Sequence, residues 1–171
     1  RVLAATACED ITLMDADSGE NLRKFLFTPC MNSSVAASPD GARVIGGVDQ
    51  YVVMWRVETG KLLRLFDSES SVESVAFSPD GTRALGGFVN NLAALWSTEG
   101  TEEGRPARRC ERVTLGAALL TLQGHRGPVN SVAFSADGMQ LFTGSQDGTA
   151  KMWSAETGEC LLTFEGHTAA I

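Results

Sequence analysis

The sequence predicts an all-β repeat fold, built from four-stranded antiparallel sheets that stack radially or as a solenoid. Three observations predict it. First, the segments Val72–Gly81 and Val129–Gly138 share one layout, an alternating strand running into Ser-x-Asp-Gly, and Val35–Gly41 carries a shorter version. Second, a tryptophan follows each turn aspartate by 15 or 16 residues: Trp55 after Asp40, Trp96 after Asp80 and Trp153 after Asp137. Third, Asp40 and Asp80 lie 40 residues apart and Asp80 and Asp137 lie 57 apart, so the period is near 40 and the second unit is longer. A period of this size with strand-like content in each unit marks a repeat architecture.

The unit over residues 124–164 shows the plan best. Val129 to Phe134 alternates apolar and small polar residues, the period of a half-buried strand. Ser135 to Gly138 is a turn, because an Asp side chain bonds the backbone two residues on and Gly accepts positive φ. Gln140 to Ser145 is a second strand, and Asp147-Gly148 is the strongest short hairpin signal in the chain. Thr149 to Ser154 is a third strand, which carries Trp153 near its end. Thr157-Gly158 turns the chain again, and Cys160 to Phe164 is the fourth strand.

The other units follow the same plan. Residues 26–66 form one unit, with Thr59-Gly60 at the third turn, and 67–122 another with extra residues. Trp55 to Gly60 and Trp153 to Gly158 are each five residues, whereas Trp96 to Gly116 is twenty, so an insertion is expected at about 98–112. It holds four Glu and four Arg among Gly and Pro, which reads as a solvated loop. Residues 1–25 read as the last three strands of a unit, with Met14 in place of the tryptophan. Glu165-Gly166-His167 repeats Gln123-Gly124-His125, so 165–171 read as the start of a further unit. The chain is expected to hold three whole units, the third spanning 123–164, and two partial ones.

Composition bounds the function. The 171 residues are 43% hydrophobic and 20% charged, values of a globular chain. A net charge of −7 without a Lys/Arg stripe disfavours nucleic acid, while leaving a basic peptide as a ligand. The longest apolar stretch, Val113 to Leu122, is too short to cross a bilayer, so no membrane is expected. Cys8, Cys30, Cys110 and Cys160 form no C-x-x-C pair and read as reduced thiols of an intracellular, cytoplasmic protein.

Gly124-His125, the turn Ser135–Gly138, Asp147-Gly148 and Trp153, in that order and spacing, resemble the WD-repeat β-propeller family. The resemblance covers almost the whole chain except the insertion. The Asp that follows the tryptophan in that family is absent: Arg56, Ser97 and Ser154 stand there. The resemblance implies four-stranded antiparallel blades in an incomplete ring, three full repeats and two partial ones. It also implies a buried hydrogen-bonded tetrad, which falls on His125, Thr143, Asp147 and Trp153. The matching positions are Ser68, Gly86, Asn90 and Trp96 in the preceding unit, and about Thr28, Gly46, Asp49 and Trp55 in the one before it. Only one unit retains the full set.

The resemblance further implies a non-catalytic scaffold that presents loops to protein or peptide partners and needs no cofactor. The partner-facing positions carried over are Pro128, Asn130 and Gln146, then Ser71, Glu73 and Val89, then Met31, Ser33 and Val48. The alternatives are an enzymatic propeller such as a metal-assisted hydrolase, and an RNA-associated assembly factor. The two histidines, His125 and His167, both sit in Gly-His and read as structural before catalytic or metal-binding. Asp40, Asp80 and Asp137 each have a local turn role. Asp15 to Glu20 is a poor match to a calcium loop, lacking the distant Glu and the third oxygen ligand before Gly19.

Overall fold

The computed structural model describes residues 2–4, 11–15, 17–25, 32–100, 116–167 and 169. Its elements are fifteen strands: β1 (Val2–Ala4), β2 (Ile11–Met14), β3 (Asn21–Phe25), β4 (Asn32–Ala37), β5 (Arg43–Val48), β6 (Tyr51–Arg56), β7 (Leu62–Asp67), β8 (Val72–Phe77), β9 (Arg83–Phe88), β10 (Ala93–Ser97), β11 (Leu120–Leu122), β12 (Val129–Phe134), β13 (Gln140–Ser145), β14 (Ala150–Ser154) and β15 (Cys160–Phe164). They form four antiparallel sheets in chain order: β1-β2-β3, β4 to β7, β8 to β11 and β12 to β15. We call these the first to fourth blades. β4 lies beside β8 and β8 beside β12, so the first strands of successive blades line up. β5 and β9 reach the first strand of the next blade, and β1 does the same toward β4. β1 therefore stands where a second strand stands elsewhere. Among the described residues the blades make an open arc, an incomplete propeller ring.

The turns that close the first hairpin of the second, third and fourth blades are built alike. Ser38, Ser78 and Ser135 each donate a hydroxyl hydrogen bond of 2.5 Å to the Asp two residues on, Asp40, Asp80 and Asp137. Each Asp also accepts a backbone N–H, from Ala42, Thr82 and Met139 at 2.9, 3.0 and 2.9 Å. Gly41, Gly81 and Gly138 follow with φ near +70°, the conformation that makes glycine the residue of choice there. The bond from Ser78 and then the Thr82 N–H hold the Asp80 carboxyl down at about 2, and the same pattern lowers Asp40 and Asp137.

The core is divided into three layers, one between each pair of blades. Ile11, Leu13 and Phe25 meet Val44, Val53 and Trp55. Ile45, Met54 and Phe66 meet Val75, Phe88 and Trp96. Leu85, Leu95 and Leu122 meet Val129, Val132 and Trp153. Adjacent residues of one strand serve opposite layers, Val44 facing back and Ile45 facing forward, as the period of two requires. The register places Met14 opposite Asn21 as Trp55 is placed opposite Leu62, so Met14 holds the tryptophan position of the first blade.

Two expectations change. Thr98, expected to open the insertion, is buried: its backbone N–H donates to Thr82 O at 2.9 Å, as Val57 does to Ala42 O and Ala155 to Met139 O. Its hydroxyl donates to Gly81 O at 2.7 Å. It belongs to the repeat, and extra residues can begin only after it; 101–115, and with them Cys110, lie outside the described residues, as do Cys8 and Cys30. The third strand of the fourth blade starts at Ala150 rather than Thr149, whose side chain is drawn into the turn.

The blades approach closely at glycine. A Cβ at Gly87 would lie 2.8 Å from the Val129 carbonyl oxygen and 2.9 Å from Val132 Cγ1. Gly87→Ala is therefore expected to force the third and fourth blades apart and lower stability by about 1–3 kcal/mol, the usual cost of overpacking, read as a shifted midpoint in urea melts. Gly41→Ala, with nothing within 4 Å, meets only its positive φ and is expected to cost less.

Candidate binding face and the hydrogen-bond network beneath it

The only polar cluster tied through the core lies in the fourth blade, among the described residues. Trp153 Nε1–H donates to Thr143 Oγ1 at 2.9 Å. Thr143 Oγ1 is 2.7 Å from His125 Nε2, and His125 Nδ1 is 3.0 Å from Asp147 Oδ2. One proton arrangement satisfies the whole chain. The Thr143 hydroxyl donates to a bare Nε2, and Nδ1–H donates to the carboxylate, which fixes a neutral imidazole tautomer. Asp147 also accepts from the Arg126 N–H at 2.7 Å, the Thr149 N–H at 2.9 Å and the Thr149 hydroxyl at 2.6 Å. Burial pushes its carboxyl up, but the bonds from Thr149, Arg126 and His125 outweigh it and hold it far below the ordinary range. The network ties the lead-in before β12 to the β13–β14 hairpin.

The other blades fill the same space differently. Register sets Gly86 and Gly46 where Thr143 stands, since Val75, Val35 and Val132 are their partners. In the third blade Phe88 takes the place of Ser145 and its ring meets Trp96 edge-on at 5.8 Å. A Cβ at Gly86 would sit 3.0 Å from both rings, so the glycine is the partner of the phenylalanine. Trp96 Nε1 is left buried without a hydrogen-bond partner. An orphaned donor costs about 1–3 kcal/mol; aromatic contacts with Phe88 and Phe66, at about 0.5–1.5 kcal/mol each beyond burial, offset it. In the second blade Ile11 of the first blade fills the hole against Gly46.

Two of the carried-over matches shift. Asp49 does not correspond to Asp147: Val48 pairs with Tyr51, leaving the two-residue turn Asp49-Gln50, whereas Ser145 closes on Thr149 around three residues. Asp49 instead corresponds to Gln146 and takes φ +52°, which Asp tolerates. Ser68 turns away from Trp96 and donates to Gln50 O and Ser70 O. Thr28 lies outside the described residues. The role of Phe88 was missed; its signal was the strand glycine two residues earlier, which marks close approach.

One end of the arc is a continuous row of lead-ins and second-to-third-strand turns. Ser68 N–H donates to Gln50 O at 3.1 Å and Val72 N–H to Asp49 O at 2.8 Å, pinning the lead-in of the third blade to the turn of the second. Val89 N–H donates to Ser71 O at 3.0 Å and Gln146 N–H to Pro128 O at 2.8 Å. On this row Ser71, Val89, Asn130 and Gln146 are exposed, and Glu73 and Pro128 half-exposed. Val48 is not on it: it is fully buried between the first and second blades, because a hairpin one residue shorter moves the expected position one step along the strand. Met31 and the side chain of Ser33 lie outside the described residues.

At the other end, an open groove of about 600 Å³ is lined by Leu13, Arg23, Arg43, Arg56, Val57 and Glu58. Asp15 closes a local turn, its carboxylate accepting from Asp17 N, Ser18 N and Ser18 Oγ at 2.9–3.1 Å. Among the described residues no three His, Cys, Asp or Glu side chains converge as a metal site, and no helix is long and apolar enough to cross a membrane.

Residues 60–97 and 116–154 match the family model described as WD domain, G-beta repeat. The chain belongs to the WD-repeat family. It is 31% identical over 128 residues to a guanine nucleotide-binding protein subunit beta of Arabidopsis thaliana, covering 75% of this chain and 32% of the relative. It is 43% identical over 56 residues to human WD repeat-containing protein 86, 33% of this chain and 15% of the relative. Over 156 residues it is 26% identical to WD repeat-containing protein 18 of Danio rerio, 90% of this chain and 35% of the relative. This WD-repeat chain thus spans about a third of the length of such relatives or less.

Two expectations follow for the WD-repeat network. His125→Ala strands the Thr143 hydroxyl and loosens Asp147, and is expected to cost about 1–3 kcal/mol in urea melts. His167→Ala, at an exposed residue, is expected to move the midpoint far less; equal losses would contradict the assignment of His125 to the network. The second concerns acid. A carboxyl held below its unfolded value stabilises fully above about pH 5 and loses that contribution as pH falls toward its folded value. Asp147→Asn is therefore expected to flatten the decline of stability between about pH 6 and about pH 3, measured by melts across that range.

Proposed function

We propose that this chain is a non-catalytic, intracellular scaffold that binds protein or peptide partners through the row of lead-ins and turns at one end of its blades. The observation that carries this is the exposed set Ser71, Val89, Asn130 and Gln146 with half-exposed Glu73, on lead-ins and turns that backbone bonds tie together in equivalent places on successive blades. Surface residues on and beside strand ends held by a rigid scaffold are suited to recognition. The rim between the second and third blades carries Asp49, Asp67, Glu69 and Glu73 with no Lys or Arg between residues 67 and 82, which favours a basic segment and salt-dependent association. The set lacks Trp, Tyr and Arg, the usual hot-spot residues, so each contact is expected to be modest. The exposed free thiol of Cys160 fits a reducing, cytoplasmic setting. An acidic chain favours protein over RNA as the ligand.

The test is capture of binding proteins by Glu73→Lys, Asn130→Ala and Gln146→Ala variants, with and without nuclease. Each is expected to weaken capture while moving the melt by less than about 0.5 kcal/mol. Unchanged capture by all three, with loss on deleting 101–112, would move the site to the insertion. Loss of capture on nuclease treatment would make RNA the ligand, and hydrolytic activity dependent on added divalent metal would make the chain an enzyme.

A further inference from the structure

We propose that the row of lead-ins and turns takes a linear peptide segment of ordered chemistry. A Lys or Arg of the ligand lies over the border of the second and third blades, an aliphatic residue over the third-blade turn, and an Asp or Glu carboxylate against Arg126 on the fourth blade. The inference rests on the reading of that row as the partner face, and adds what its far end binds.

The row is one hydrogen-bonded rail. The third-blade lead-in is tied to the second-blade turn by the N–H groups of Ser68 and Val72, which donate to Gln50 O and Asp49 O. It is tied to its own turn by Val89 N–H, which donates to Ser71 O. In that turn the side-chain amide of Asn91 lies 3.2 Å from the Gly127 carbonyl of the fourth-blade lead-in. Gln146 N–H then donates to Pro128 O at 2.8 Å, and Arg126 N–H to Asp147 Oδ2 at 2.7 Å. Side chains along the rail therefore keep a fixed order and spacing, the preorganisation that reading a linear sequence requires.

Charge is sorted along this rail. Asp49, Asp67 and Glu69 are exposed and Glu73 half-exposed at the border of the second and third blades. Residues 49–50, 67–71, 89–91, 123–128 and 146–148 make the row, and among them Arg126 is the only Lys or Arg. Arg126 is exposed, and its guanidinium makes no hydrogen bond or ion pair among the described residues. Asp147 does not take it up: that carboxylate is 11% exposed and already accepts from His125, Thr149 and the Arg126 backbone. In blade order, Val89 stands between the two charged ends, an aliphatic side chain 41% exposed.

An unpaired guanidinium on a fixed backbone offers a planar fork that matches two carboxylate oxygens. A uniformly basic ligand gains at the acidic end and is repelled at Arg126. A uniformly acidic one, nucleic acid included, is repelled at the acidic end. A segment that is basic at one end and acidic at the other is attracted at both, so the row selects order as well as sign.

The test titrates labelled synthetic peptides of equal length, each made in both chain directions. One carries lysines, a central leucine and glutamates in that order; one has serines for the glutamates; one has serines for the lysines. At low salt the mixed peptide is expected to bind about two- to fivefold tighter than the lysine-only peptide, the effect of one exposed ion pair, and added salt is expected to shrink the margin. Arg126→Gln is expected to erase the margin and Arg126→Glu to invert it. Neither is expected to move the urea midpoint, because the backbone N–H that meets Asp147 is kept. Equal binding of the two lysine peptides overturns the proposal, and so does a margin that survives Arg126→Gln. Glu73→Lys tests the underlying reading separately: lysine-peptide binding that it leaves unchanged removes the acidic end, whatever Arg126 does. Particle size that grows with protein concentration and is restored by Arg126→Glu makes a second copy the occupant and overturns the proposal. No binding by any peptide overturns both readings.

Discussion

Across each blade border, the side chain at the forward-facing position of one last strand covers the tryptophan of the next blade. Phe25 covers Trp55, Phe66 covers Trp96, and Leu122 packs in one layer with Trp153. A twisted four-stranded sheet with apolar residues on both faces has no core of its own. Its stability resides in the two layers it shares, each burying large side chains worth about 1.5–3 kcal/mol apiece. Ser34 and Ser74, whose hydroxyls accept the Val75 and Val132 N–H of the next blade, and Arg43 and Arg83, which donate to Gly81 O and Gly138 O there, then fix how far one blade slides over the next. The close approach of Gly87 to β12 depends on that alignment.

The space opposite each tryptophan shows how a repeat tolerates divergence. Three occupants fill it: Ile11 from a neighbour, Phe88 from the same blade, and the polar chain of Thr143 and His125. The last satisfies every donor, at the cost of a half-buried carboxylate that needs its hydrogen bonds to stay tolerable. The aromatic version gives up the Trp96 hydrogen bond and gains ring contacts of similar worth. Neither can be changed one residue at a time, because Gly86 is demanded by Phe88 and Thr143 by Trp153.

Local patterns made much of this legible. The alternation in Val129–Phe134 and the turn chemistry around Asp137 and Gly148 located strands and turns of the fourth blade, because period and turn geometry are local properties. The expected tetrad residues are brought together at hydrogen-bond distance for the same reason, equal spacing between turns. What failed was register. A hairpin shorter by one residue put Asp49 and Val48 a step away from their expected places, and β-strand period two turned that step into burial. Thr98 looked like loop because its neighbours in sequence are charged, while its actual neighbours, Gly81, Thr82 and Arg43, are remote along the chain. Phe88 likewise acts through a ring contact that no single strand pattern contains.

The direction of these lids has a consequence for synthesis. Each tryptophan is covered from the N-terminal side: Phe25, Phe66 and Leu122 all precede the ring they meet. A chain leaving the ribosome therefore delivers the cover before the residue that requires it. Each newly emerged blade thus meets, on the blade before it, the side chain that covers its tryptophan, and nearest-neighbour coupling of this kind lets a late blade take its alignment from an earlier one.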